Sequence, residues 1–451
     1  MTGGPPLTGA IPFTAVDESA DLLERRGEPN LILLELALAG RIDAGRLRAA
    51  VGAALGAHPM ARARRAPGGP WRRRSAWEIP SGPDLDPLTV AAPGAEPDTE
   101  RRRLMDTHVP LPSSPALRLR LLPSDGGDRV LLAAHHALFD AIGCLGFLGS
   151  VAEAYNGTPA RPAAAVPQAP PVTGVPHVPH VPDAPGDGRP ELFPRAVRVA
   201  RSSASGSGGY GCVLEVFSAE RTSALTTAAR RRSATVNDLL ITALAVAVAC
   251  WNETHHRRSG PVRITMPINA RATGQRFDGI RNLSRLTSVS AAAGEPGDLL
   301  ASVARQTRRA KGSSAPAGGP AAQVLGSPAL PYGVRRALVG PVRAAARLLA
   351  DTTMLSNLGR LPDPPAFDGA GATTGLWLAA PAPMPRGLSV SALTVLGRLH
   401  LAVRHRHAVL DAPAARAFTA LFVGALDELA ALPTAVHGGA PTPWPPEGGP
   451  R

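Results

Sequence analysis

The sequence predicts a mixed α/β protein of two domains, on three observations. Its 451 residues exceed what one ordinary hydrophobic core serves. Each half mixes short apolar runs of strand character with longer runs of helical spacing. Between the halves, positions 162–194 carry a proline every few residues, a composition that builds neither ladder nor helix and reads as an extended linker. The expected division is an N-terminal domain at 1–161, the linker at 162–194, a C-terminal domain at 195–437 and a Pro/Gly-rich tail at 438–451.

In the first half, 30–39 is an apolar run of strand type. Asp43 then caps a helix whose Leu47, Val51 and Leu55 recur at helical spacing, ending before His58-Pro59. An irregular, Pro-rich and charged stretch follows. Residues 116–122 alternate Leu with Arg as a half-buried strand, and Asp125-Gly126-Gly127-Asp128 turns the chain into a second strand at 129–134. After 135–140, a helix is expected at 142–155, with Leu145, Leu148, Val151 and Ala152 on one face. In the second half, strands are expected at 211–217, 263–268 and 352–355. Helices are expected from the Thr235-Val236-Asn237-Asp238 start through Trp251, and at 298–309. A Gly/Ser/Pro stretch occupies 312–320. A hairpin around Gly397-Arg398 and a helix at 412–432 close the domain.

Apolar residues make up 44% and charged residues 18%, the balance of a globular chain rather than a disordered one. The net charge is +13, carried by scattered arginines with 4% aromatics. A nucleic-acid surface gathers its charge into stripes with interleaved aromatics, so nucleic-acid binding is not expected. Runs such as Arg72-Arg73-Arg74 read as solvated surface, although a basic surface suits a phosphate-bearing partner. Three dispersed cysteines build neither a disulfide framework nor a zinc site. The first fifteen residues lack a secretory signal, and no run approaches the ~18 apolar residues of a membrane span. A cytoplasmic protein without an integral membrane segment is expected.

The chemistry concentrates in His135-His136-Ala137-Leu138-Phe139-Asp140, where a strand ends and a helix begins. Strand ends hold catalytic groups well, because the scaffold fixes them while the loop exposes them. A neutral imidazole is suited to removing a proton near neutral pH, and a carboxylate four positions on can organise the loop. Read alone, the pattern fits equally a loop histidine held by its own aspartate.

The surrounding segments resemble, in chain order, the condensation-domain-like acyltransferases that carry an HHxxxDG motif. His58-Pro59 with Arg62 and Arg64 is similar to that superfamily's HPxLR stretch. Residues 235–238 are similar to its helix start, Met266-Pro267-Ile268-Asn269-Ala270-Arg271 to a characteristic strand, and Ser356-Asn357-Leu358-Gly359 to its SNLG segment. The likeness spans almost the whole chain, with the Pro-rich 162–194 segment as the main part lacking a counterpart. Ala141 replaces the usual motif glycine, and no DFGWG-like motif is present, which argues against the plant branch.

The resemblance implies two lobes, each like chloramphenicol acetyltransferase, meeting in a V around a central tunnel. It implies an acyltransferase that moves an acyl group from acyl-CoA or a phosphopantetheinyl acyl-carrier protein to a small-molecule hydroxyl or amine. His136 is then the general base, His135 a packing or hydrogen-bonding partner, and Asp140 a structural anion paired with Arg271. Gly143, through its backbone N–H, and Asn357 are the expected oxyanion or substrate contacts. No tightly bound cofactor or metal is expected, and a monomer is. The absence of fused adenylation or carrier segments points to a stand-alone enzyme of specialised metabolism, of the antibiotic-forming kind. Ester and amide products stay equally open, as do long-chain donors and an epimerase- or cyclase-type outcome.

Other histidines and cysteines read as structural. Cys144 falls on the apolar side of its helix, a buried thiol rather than a nucleophile. His177 and His180 belong to the linker, His255-His256 to a helix end, and His405 and His407 to an exposed strand face without a third ligand. The rival reading is a non-catalytic relative that docks carrier proteins. Retention of both His136 and Asp140 favours the enzyme.

Overall fold

The computed structural model describes residues 10–159 and 195–432, apart from positions 26, 207, 258–259, 270, 272–278, 292–293 and 313–323. The expected linker at 162–194, with His177 and His180, and the tail at 438–451 lie outside the described residues.

Leu31–Leu38 runs LILLELAL and is buried along its whole length. Its alternate side chains serve two different cores, as the two-residue strand period dictates. Ile32, Leu34, Leu36 and Leu38 face the helices Ala44–Ala57 and Ala141–Tyr155. Leu31 and Leu33 face Leu104, Met105 and the C-terminal half's Tyr210 and Ala402. Glu35, on this second face, receives a bidentate Arg101 at 2.6 and 3.0 Å and Arg129 at 2.7 Å. Arg101 belongs to a helix, Pro97–Asp106, where the sequence alone reads as irregular charged chain. Its buried stripe is only Glu100, Arg101, Leu104 and Met105, so half its inward face is polar and shows little apolar periodicity.

The N-terminal sheet orders its strands Thr373–Ala379, Leu31–Leu38, Arg129–His135, Leu117–Leu122 and Leu88–Val90. The first comes from the far half of the sequence and pairs antiparallel with Leu31–Leu38. Chain order and sheet membership therefore part company there. The C-terminal sheet runs Ser284–Ala291, Val262–Asn269, Thr353–Leu361, Leu388–Val395, Arg398–Arg406 and Tyr210–Val216. Its core is completed by the Val236–Thr254 and Ala412–Ala431 helices. A small sheet joins Ile11–Pro12, Ala76–Glu78 and Arg64–Arg65.

The capping predicted at Asp43 is present, its carboxylate accepting the Arg46 N–H. Thr235 and Asp238 form a reciprocal capping box on Val236–Thr254. That helix runs past Trp251, because the Asn252 side chain holds Ala200 N–H and Arg198 C=O at 2.7 and 2.9 Å. At 19 residues it is long and apolar enough to cross a membrane, and 67% of its most apolar 18-residue stretch is buried inside the protein. Thr353–Leu361 continues through Ser356-Asn357-Leu358-Gly359 instead of stopping at 355. A register shift between Asn357 and Arg360 and a positive φ of 70° at Gly359 accommodate the segment.

Candidate active site

Arg129–His135 ends where the helix Ala141–Tyr155 has yet to begin, and the five residues between are tightly held. His136 N–H donates to Asn30 C=O at 2.8 Å, while Leu138 and Phe139 N–H both return to His135 C=O. Ala137, Leu138 and Phe139 are buried at 2% exposure or less in the N-terminal core. These three side chains act as a plug that leaves His136 turned toward a cavity.

The His136 Nδ1 lies 2.8 Å from Phe139 C=O, an acceptor only, so Nδ1 carries the proton and donates it. The Nε2 lone pair is left for a reacting group. Burial lowers the imidazole pKa below its ordinary 6.5, against the opposing pull of Phe139 C=O and Asp140. The ring is therefore neutral at pH 7 and can accept a proton.

Asp140 caps the helix, accepting Gly143 N–H at 2.7 Å. Arg271 meets the same carboxylate with two nitrogens, at 2.6 and 3.0 Å, and Leu283 N–H adds a third donor group at 3.0 Å. Both side chains of the Asp140–Arg271 pair are 2% exposed. Arg271 also donates to the carbonyls of Gly279 and Arg281. The motif loop on the N-terminal half is thereby clamped to the 279–283 segment of the C-terminal half. Asn282 reinforces the clamp by donating to His136 C=O at 2.7 Å.

His135 faces away from the cavity. It is fully buried, accepts Ala137 N–H on Nδ1 at 3.0 Å and donates from Nε2 to Glu24 at 3.0 Å. Although burial works the other way, the hydrogen bonds from His135 and the Asn30 N–H hold the Glu24 carboxyl below its ordinary range. Burial pushes the Cys144 thiol well above its ordinary range, with Asp140 adding to the shift, so Cys144 is not a thiolate nucleophile.

The cavity, about 230 Å³, is lined by His136, Ala141 and Ile142 from the motif and by Ile32 from the central strand. Leu378, Ala380 and Pro381 come from the crossing segment. Pro267, Asn269, Ser284, Leu286, Met354, Ser356, Asn357 and Leu358 come from the C-terminal sheet. It is a mostly apolar enclosure with a few polar groups around one imidazole, the usual make-up of a small-molecule site.

Two expected contacts require revision or detail. Gly143 N–H is engaged by Asp140 and Gly143 does not line the cavity, so this N–H is not a free oxyanion donor. The N–H groups of Ala141 and Ile142, the first two of the helix, have no acceptor among the described residues. Asn357 does line the cavity; its Oδ1 accepts Gly359 N–H at 2.8 Å, leaving the amide NH₂ as its donor toward a substrate. Ala141 opens the helix and is absent from the positive-φ residues, so the motif glycine is not required there.

His405 is not on an exposed face. It is 2% exposed and donates from Nδ1 to Leu410 C=O at 2.9 Å, while His407 follows the strand. Every side chain of the strand from Leu399 to Arg406 is buried, so both of its faces are covered, which its apolar-polar alternation concealed. Among the described residues no cluster of three or more His, Cys, Asp or Glu is arranged to hold a metal. Sequence reasoning missed Glu24, Asn282 and the cavity wall at Ser284 and Leu286. None of these lies within a motif: Ser284 and Leu286 arrive through the pairing of Ser284–Ala291 with Val262–Asn269, Asn282 lies in the loop before that strand, and Glu24 ends the helix Ala15–Leu23.

No family model matches the chain. Uncharacterized protein Rv2305 of Mycobacterium tuberculosis is 32% identical over 400 residues, spanning 85% of this chain and 92% of the relative. Among solved structures, the first condensation domain of the calcium-dependent antibiotic synthetase, in complex with a substrate analogue, is 17% identical with a TM-score of 0.65. The match covers 95% of this chain and 98% of that domain. The condensation domain of the Monacolin K polyketide synthase MokA is 15% identical with a TM-score of 0.60, over 94% and 97% of the two chains. The chain is therefore a member of the family that contains Rv2305, built on the condensation-domain-like fold.

Proposed function

We propose that the protein is an acyltransferase, transferring an acyl group from a thioester donor to a hydroxyl or amine acceptor. The observation that carries this reading is the neutral His136, with Nδ1 bound to Phe139 C=O and Nε2 free at the wall of an apolar cavity. In the reaction, Nε2 takes the acceptor's proton as its oxygen or nitrogen attacks the thioester carbonyl. The tetrahedral intermediate places its negative oxygen within reach of the Ala141 and Ile142 N–H groups at the positive end of the helix. Collapse breaks the carbon–sulfur bond, and the imidazolium returns the proton to the departing thiolate. The base contributes roughly 10²–10⁴-fold in rate. Holding both substrates in one enclosure supplies the orientation term.

Acyl-CoA and acyl-carrier protein are the two donors to distinguish, and a carrier protein is a macromolecular partner only in the second case. The test is an acyl-transfer screen read by mass spectrometry, with short- and long-chain acyl-CoA and acyl-carrier protein against mixed alcohols and amines. Product from the native protein, reduced at least a hundredfold in His136→Ala, supports the reading. Equal product from both removes His136 as the base. No product from either, with tight binding of a carrier protein, supports a docking role instead.

A further inference from the structure

We propose that Arg386 is an oxyanion-recognising residue of this site, taking a phosphate or carboxylate carried by one of the two substrates. The inference rests on the cavity being the acyl-transfer site and adds the charge class of what enters it.

The 265–269 segment of strand Val262–Asn269 shows one face of alternate residues to the cavity, with Asn269 and Pro267 in its wall. Thr265 is next on that face, and its strand partner Met354 again lines the cavity. Arg386 donates to Thr265 Oγ1 at 3.0 Å, which puts its guanidinium beside the next residue of that face beyond the cavity lining. Thr265 lies four residues from Asn269, roughly 13 Å along the strand at ~3.3 Å per residue. The anion would thus sit well away from the reacting carbonyl, at the far end of a chain-like substrate.

Arg386 lacks a counter-ion among the described residues. The one acid near it, Asp351, already meets Arg263 at 2.5 Å, the Thr265 hydroxyl at 2.7 Å and the Ser288 hydroxyl at 2.5 Å. Arg198, Arg257 and Arg263 lie close by, and Asp351 is the one acid that acts on both Arg198 and Arg386. Arg386 is half-buried, and a partly desolvated guanidinium without an ion pair is stabilised by an anion that completes it. Its planar fork suits a two-oxygen partner, phosphate or carboxylate alike.

The test compares charged and uncharged members of matched pairs, in the native protein and in Arg386→Met. Phosphopantetheine is paired with pantetheine for a donor-borne anion. A hydroxy acid is paired with its methyl ester for an acceptor-borne one. Calorimetric binding reads all pairs without needing turnover, and transfer kinetics repeat them with the acylated donors. The native protein is expected to prefer the charged member of one pair by about tenfold or more. In Arg386→Met that ratio should fall toward one, and the pair affected identifies the source. Because each ratio is internal to one protein, a partly misfolded variant does not imitate the result. The proposal is overturned if the native protein shows no charge preference in either pair, or if Arg386→Met keeps the native ratio. Absence of turnover with retained, Arg386-dependent preference in calorimetry would remove the acyltransferase reading while sparing the subsite.

Discussion

Removing the Arg271 cation isolates what holds the motif loop in place. Arg271→Met keeps most of the side-chain length and deletes the two charge-assisted bonds to Asp140, at 2.6 and 3.0 Å. The carboxylate left behind is 2% exposed, and breaking a buried ion pair from one side typically costs 3–5 kcal/mol. Gly143 and Leu283 N–H remain on the same carboxylate, so the lower end applies, about 3 kcal/mol. Asp140→Ala removes the other partner and also the helix cap, which adds about 1 kcal/mol. In the double variant neither charge is stranded. Its destabilisation should fall short of the sum of the single variants by about 2–3 kcal/mol. Urea unfolding of the four proteins, followed by tryptophan fluorescence, measures that difference. Additivity within ~0.5 kcal/mol would show that the clamp across the two halves contributes nothing beyond its separate parts.

Three further outcomes follow from the same geometry. Because burial lowers the His136 pKa, kcat/KM should be flat above pH 6.5 and fall only below it; a limb centred above pH 7 would assign the base elsewhere. Burial takes His405 down to about 4, whereas an unfolded imidazole titrates near 6.5, so the unfolded chain binds the extra proton first. The stability from keeping His405 neutral is present above pH 6.5 and is lost as pH falls to 4, about 3 kcal/mol in all. His405→Gln should flatten that acid-side decline in urea titrations, and an unaltered slope would contradict it. Cys144→Ala should retain transfer activity, and brief alkylation should label the exposed Cys250 but not Cys144; loss of activity would reopen the nucleophile question.

The strand and helix signals legible in the sequence are those whose partners lie nearby along the chain. The Leu117–Leu122 and Arg129–His135 hairpin and the Asp43 and Thr235 caps are of that kind. Local pattern fails where a partner comes from far along the chain. The Pro97–Asp106 helix is anchored by Arg101 on Glu35, 66 positions away, and shows weak apolar periodicity on its own. Strand Thr373–Ala379 joins a sheet whose other members end by residue 135, which no spacing rule reveals. The motif loop was legible because its own residues cap and plug it. Gly143 was misjudged because a cap bond and an oxyanion bond compete for one N–H, and only geometry says which is made.

The same long-range pairings explain why His136 sits where it does. His136 belongs to the N-terminal half, yet its carbonyl is held by Asn282 and its supporting carboxylate by Arg271 and Leu283, all from the C-terminal half. The cavity wall facing it is the C-terminal sheet, while Leu378 and Ala380 reach the cavity through the strand that crosses into the N-terminal sheet. Buried Arg404 adds a bond from the C-terminal sheet to Leu31 C=O at 2.7 Å, one residue before Ile32 of the cavity. Separating the halves would therefore remove donors from the motif loop and one wall from the cavity at once. An imidazole built this way is positioned by the interface itself. Its orientation should be sensitive to substitutions at 271, 282 and 404, residues that touch no substrate.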